Sequence, residues 1–304
     1  MHIRAQEWVD RFNRYLTTER RVSPHTTSNY GRDIAALVAF CDREHIEHWR
    51  DVLVPHVRRF AASSHSGGLA PKSVQRQLSA VRTFMKFLVR EGVIGGNPAV
   101  VVQAPKAGRP LPNVLDVDQM TRLIEIPGND IYAVRDRAIM ELLYSSALRL
   151  HELVRLNRGD LDFGDRVVRV LGKGNVARIV PVGSFAIRAL QRWLRARAQV
   201  AKDCEQAVFV GRGGRRLGPR AIQTRVDYWA RHQGITTHVH PHMFRHACAT
   251  HVLESSRNIR EVQELLGHAS ISTTQIYTHL NAQHLFEVYE NAHPRARRVK
   301  DSHE

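Results

Sequence analysis

The sequence predicts a mainly α protein of two units: a helical N-terminal domain, then an α+β domain with a small antiparallel sheet. Three observations predict it. Apolar residues recur at helical spacing along most of the 304 residues, the period shortens to two only around residues 165–182, and a proline-rich stretch without periodicity separates two patterned blocks. A hydrophobic fraction of 43% is enough for two cores at this length.

The first block, residues 1–103, reads as four helices. Residues 3–18 carry Ile3, Trp8, Phe12, Tyr15 and Leu16 at helical spacing. Ser23-Pro24 then supplies an N-cap and a first-turn proline for a helix through Tyr30, Ile34, Leu37 and Phe40. A third helix is expected over about 51–62. Ala70-Pro71 opens a fourth whose stripe is Val74, Leu78, Val81, Phe84, Phe87 and Leu88, ended by Gly92. On its other face lie Gln75, Arg76, Arg82, Thr83 and Lys86, candidates for phosphates or base edges; a solvated polar face is the alternative.

Residues 104–112, Ala-Pro-Lys-Ala-Gly-Arg-Pro-Leu-Pro, have the composition of an extended, semi-rigid linker. The second block, 113–304, begins with helical patterns near 116–126 and 130–146. Asp165-Arg-Val-Val-Arg-Val170 and Val176-Ala-Arg-Ile-Val-Pro-Val182 then predict two strands meeting at a glycine-rich turn with Lys173 at its tip. Helices are expected at 184–199, 219–232, 243–256, 259–266, 273–279 and 282–291. Residues 280–304 carry Leu280, Leu285, Val288 and Tyr289 at helical spacing before a basic tail, an apolar face for either a neighbouring protomer or its own domain.

Lys plus Arg outnumber Asp plus Glu by 45 to 29, a net charge of +16, which favours a polyanionic partner through counterion release. Residues 1–104 hold 15 basic against 9 acidic side chains and the remainder 30 against 20, so both blocks are positive. Nucleic acid leads, although arginine-rich composition alone yields a similar sum. Three scattered cysteines, Cys41, Cys204 and Cys248, indicate neither a disulfide framework nor a thiolate metal site. The charged N-terminus lacks a secretory apolar run and no stretch approaches 18 apolar residues, so a cytosolic protein is expected.

A phosphodiester resists attack because its charge repels nucleophiles and its leaving alkoxide is poor. Catalysis needs positive charge on the non-bridging oxygens and a proton for the departing one. Arg149 and Arg245 lie inside largely apolar helical patterns, where a buried guanidinium needs a partner. Glu152, three residues after Arg149, is placed to hold it, and a purely structural ion pair fits the same pattern. His242 and Arg245 share a helix face at i, i+3, with His246 one position further. The histidine string 238, 240, 242, 246 and 251 also admits a metal cluster, but beyond Pro241 only His242 and His246 have i, i+4 ligand spacing and no Asp, Glu or Cys pattern completes the set. His268 follows Gly267 at an expected helix end, and Ser272-Thr-Thr-Gln275 matches a capping box that would start a helix carrying Tyr277. Lys173 is either a solvated turn lysine or a mobile proton donor.

Arg149, Lys173, His242-x-x-Arg245, Leu-Leu-Gly-His268 and Tyr277, in this order, resemble the active-site set of the tyrosine recombinase (phage integrase) family, and the wording around Tyr277 is similar to its Xer branch. The resemblance spans most of the chain. It implies a SAM-like four-helix core-binding domain followed by a catalytic domain, and site-specific cutting and rejoining of double-stranded DNA through a 3′-phosphotyrosyl intermediate. Tyr277 would attack phosphorus, Arg149, Arg245 and His268 would stabilise the pentavalent phosphate, His242 would take the tyrosyl proton and Lys173 would protonate the leaving oxygen. No metal or cofactor is implied. The implied setting is a heterotetramer with a XerD-like recombinase, acting on chromosome and plasmid dimers at cell division and activated by a septum-associated DNA translocase. A mobile-element integrase or resolvase, and a DNA-binding protein that no longer cuts, are the alternatives. Ala147 departs from the family pattern, which has glycine two residues before the arginine, and His151 replaces a commoner small residue.

Overall fold

The structure is a computed structural model and describes residues 3–20, 22, 24–105, 114–172, 177–258, 289, 290 and 292–296. The chain divides into two compact units, Met1–Pro110 and Leu111–Glu304. The helices expected at 259–266 and 273–279, the turn at Gly267, the capping box at Ser272 and most of the helix at 282–291 lie outside the described residues, as does the N-cap Ser23.

The first unit is built from α1 (Ile3–Thr18), α2 (Pro24–Arg43), α3 (Val54–Ser66) and α4 (Pro71–Arg90). Helix α4 packs against the other three because its apolar stripe is broad, burying Val74, Leu78, Val81, Phe84, Phe87 and Leu88. Its aromatics set the core: Phe84 meets Phe12 edge-on at 5.1 Å and Trp49 at 4.8 Å. The third helix begins later than its pattern predicts. Trp49–Asp51 forms a separate 3-10 turn, Leu53 is extended, and Pro55 fits only the first turn, so α3 starts at Val54 and runs on to the glycines at 67 and 68.

The second unit opens with α5 (Val117–Ile124), capped by Asp116, whose carboxylate accepts from Gln119 N at 2.7 Å. Next comes α6 (Ile131–Ser145), capped by Asp130 and buried along almost its whole length. A short α7 (Leu150–Arg155) follows. Strands β1 (Leu161–Asp162), β2 (Val167–Leu171) and β3 (Ala177–Pro181) form an antiparallel sheet in the order β1-β2-β3. The two-residue β1 is too short to show alternation in sequence. Residues 165 and 166, expected in a strand, instead turn the chain, with Asp162 Oδ1 accepting from Gly164 N and Asp165 N. Helices α8 (Ser184–Arg197), α9 (Pro219–His232) and α10 (Pro241–Ser256) complete the described unit.

Buried polar groups bolt α6 to its neighbours. Asp136 accepts from Arg135, from Arg225 Nε at 2.5 Å and from Trp229 Nε1 at 2.9 Å, while Glu141 takes two bonds from Arg295. The segment that holds Arg295 packs on its own unit, with Tyr289, Ala292 and Ala296 buried in the core. Tyr289 Oη and Ser145 Oγ share a 2.6 Å hydrogen bond, and Gly183 N donates to the same Ser145 oxygen. Of the two placements open for the C-terminal pattern, Tyr289 therefore takes the intramolecular one.

Candidate active site

Helix α6 stops at Ser145, and the next four residues create the site. Ser146 donates its hydroxyl to Pro181 O at 2.8 Å, holding the break against the end of β3. Ala147 then adopts φ +46°, the left-handed region that favours glycine. That turn aims its carbonyl at α10, where Arg245 Nη1 donates to it at 2.6 Å. Arg149 comes next in extended conformation and caps α7. The sequence pattern places Arg149 inside a helix; the structure corrects this, since the left-handed residue ends one helix and Arg149 begins another.

Glu152 lies in the first turn of α7 and is 4% exposed. Its carboxylate accepts from Arg149 N at 2.8 Å, the N3-to-N-cap half of a capping box, and from Arg149 Nη1 at 3.0 Å. Arg178 of β3 adds two more bonds, at 2.6 and 2.9 Å. Burial pushes the Glu152 carboxyl up, but the bonds from Arg178 and Arg149 outweigh it and hold the group below its ordinary value, so it is ionised at neutral pH.

Arg245 is 6% exposed, and burial first, then the charges of Arg149 and Arg178, pull its guanidinium down to about 10. It stays charged at neutral pH, in a region where three guanidiniums face one carboxylate. The patch carries surplus positive charge next to buried walls, which suits a phosphate. Arg149 is 44% exposed and presents that charge to solvent.

His242 stands one turn before Arg245 on α10. Burial, His246, His240, Arg245 and Arg149 all lower its pKa, leaving the imidazole neutral at pH 7 and able to take a proton. His242 and His246 lie with ring centroids 4.6 Å apart. Two of the other histidines of the string have separate partners: His238 meets Asp227 at 3.1 Å and buried His251 bonds Tyr144 Oη at 2.8 Å. No group of three His, Cys, Asp or Glu side chains suited to a metal occurs among the described residues.

Arg149, Glu152, His242 and Arg245 thus come together. Lys173, His268 and Tyr277 lie outside the described residues; Lys173 belongs to residues 173–176, which join the paired ends Leu171 and Ala177 of β2 and β3. Arg178 is absent from the sequence-based candidates. Its signal is faint: an arginine registered opposite buried Val170 in an otherwise apolar strand. On α4, Gln75 and Lys86 are exposed, Arg76 pairs with buried Asp33, and Arg82 donates to Ala99 O and Val102 O, clasping the segment that follows the helix.

A helical bundle followed by an α+β unit whose surplus guanidinium charge lies beside a neutral histidine fits the class of enzymes that act on a phosphodiester. Residues 113–284 match the model described as "Phage integrase family", and residues 9–92 match "Phage integrase, N-terminal SAM-like domain". The chain belongs to the phage integrase family, the tyrosine recombinases. It is 48% identical over 297 residues to "Tyrosine recombinase XerC" of Shewanella sp. (strain W3-18-1), covering 95% of both chains. It is 49% identical over 302 residues to the protein of the same name from Xanthomonas axonopodis pv. citri (strain 306), covering 96% of this chain and 98% of that one. Its fold is that of the XerH site-specific recombinase solved in a post-cleavage complex with palindromic difH substrate, with TM-score 0.73, 20% identity and coverage of 93% and 94%. Among the described residues no helix is long and apolar enough to cross a membrane.

Proposed function

We propose that the chain attacks one DNA phosphodiester with Tyr277, forming a 3′-phosphotyrosyl link and releasing a 5′ hydroxyl. Arg149 and Arg245, with His268, hold the non-bridging oxygens as charge builds on the pentavalent phosphorus. Neutral His242 takes the phenolic proton, and Lys173 returns one to the departing oxygen. The phosphotyrosyl bond keeps the energy of the broken linkage, so a second 5′ hydroxyl reseals the strand by the reverse steps.

The observation that carries this reading is the surplus of guanidinium over carboxylate beside an unprotonated histidine. Similarity over nearly the whole length to proteins named XerC supports a narrower assignment. The chain works in the cytoplasm with a XerD-like recombinase in a heterotetramer, on sites whose recombination resolves chromosome and plasmid dimers at division, under a septum-associated DNA translocase.

The test begins with a DNA site selected by the full chain from a random-sequence pool. A nicked duplex of that site loses its short 5′-hydroxyl fragment once cleaved, which traps the adduct. The parent chain forms a covalent adduct in EDTA and Tyr277→Phe forms none while still binding. Binding without any adduct from the parent would leave a DNA-binding protein that does not cut.

A further inference from the structure

We propose that Arg178 is a positioning residue for strand cleavage: it neutralises the Glu152 carboxylate so that the charge of Arg149 stays available to the scissile phosphate. The inference rests on the role of Arg149 given above and adds a residue to that site.

Glu152 is nearly sealed from solvent and must be satisfied from within the protein. It performs a structural task, since it caps α7 through Arg149 N and fixes Arg149 Nη1. That task has an electrostatic consequence: a carboxylate paired with Arg149 alone would cancel the charge the phosphate needs. Arg178 prevents this. Its two nitrogens reach both carboxylate oxygens in the forked geometry that matches guanidinium to carboxylate. The three groups together carry one net positive charge, and the exposed member of the trio is Arg149.

The placement of Arg178 on β3 adds a second effect. Val170 pairs with Arg178 and Leu171 with Ala177, so Arg178 lies one pair in from the strand ends between which Lys173 falls in the chain. One side chain therefore ties the strand that follows Lys173 in the chain to the helix cap at Arg149. Arg178 is 11% exposed, which leaves it behind the phosphate-facing surface rather than on it.

Four variants of the full chain separate this role from a merely structural one: Arg178→Met, Arg178→Lys, Glu152→Gln, and Arg178→Met combined with Glu152→Gln. Glutamine keeps the acceptor for Arg149 N and removes the charge. Single-turnover cleavage of the nicked selected site is measured at saturating protein, alongside affinity for that site. Arg178→Met should slow cleavage about 100-fold, the scale of a misplaced catalytic group, with affinity within about threefold of the parent. Arg178→Lys, which keeps the charge but not the fork, should lose no more than about tenfold. The double variant should recover at least about tenfold over Arg178→Met, because the unpaired carboxylate is gone.

A double variant no faster than Arg178→Met, or an Arg178→Met protein that cleaves like the parent, overturns the inference. Should Arg178→Met not fold, Arg178→Lys with and without Glu152→Gln carries the same comparison. A parent chain that forms no adduct overturns the reading of the site itself, a separate outcome visible before any variant is made.

Discussion

Ala147 shows how much a single backbone conformation decides. A left-handed φ costs an alanine roughly 1–2 kcal/mol, and it ends α6, turns a carbonyl toward Arg245 and starts the extended step to Arg149. Glycine at this position relieves the strain but loses a buried methyl and gains freedom in the unfolded chain, so Ala147→Gly should melt within about 1 kcal/mol of the parent. Ala147→Val, branched where the backbone is least tolerant, should cost at least about 2 kcal/mol by denaturant unfolding. His242 carries a pH prediction. Its pKa lies below 6.5 because burial and neighbouring charges disfavour the imidazolium, and the neutral form is the one that takes the proton. Cleavage should therefore stay flat from neutral pH down and fall only below pH 6.5. A limb that begins above pH 7 would assign the base elsewhere.

At the scale of elements, the docked segment around Tyr289 and α8 is packed with no slack. A Cβ on Gly183 would lie 2.6 Å from Arg295 O and 2.7 Å from Tyr289 Oη. Gly183→Ala should destabilise by about 1–3 kcal/mol and speed amide exchange at residues 289–296 before it affects α8. His293 in that segment is fully buried, and burial lowers its pKa to about 3. The unfolded chain then binds a proton that the folded one refuses, so stability drops as pH falls below 6.5. At pH 5 this one group should cost about 2 kcal/mol, and His293→Asn should lose less stability between pH 7 and pH 5 than the parent does. Helices with long apolar stripes and a first-turn proline, such as α4, were legible in the sequence because periodicity and proline placement are local signals. The break at Ala147 was not, since Leu142, Leu143, Leu148 and Leu150 continue an apolar pattern across it. Arg178 escaped for a different reason: its partner Glu152 is 26 residues away, and only the packing of α7 against the sheet brings the two together.

The whole molecule is two positive units joined by a proline-rich stretch, and each pattern of charge has its own use. Arg225 at Asp136, Arg295 at Glu141 and Arg178 at Glu152 are internal fastenings, so the count of basic side chains overstates the number available to DNA. The same chemistry that buries some guanidiniums leaves Arg149 half exposed with its charge uncancelled. The most direct measurement of that claim replaces the scissile phosphate of the selected site with an uncharged methylphosphonate. Arg149→Ala and Arg245→Ala should each slow cleavage of the ordinary phosphodiester by about 100- to 1,000-fold and recover most of that loss on the methylphosphonate, because no anionic oxygen remains to be neutralised. Equal defects on both substrates would contradict the account, since the two arginines would then act on something other than the charge of the phosphate.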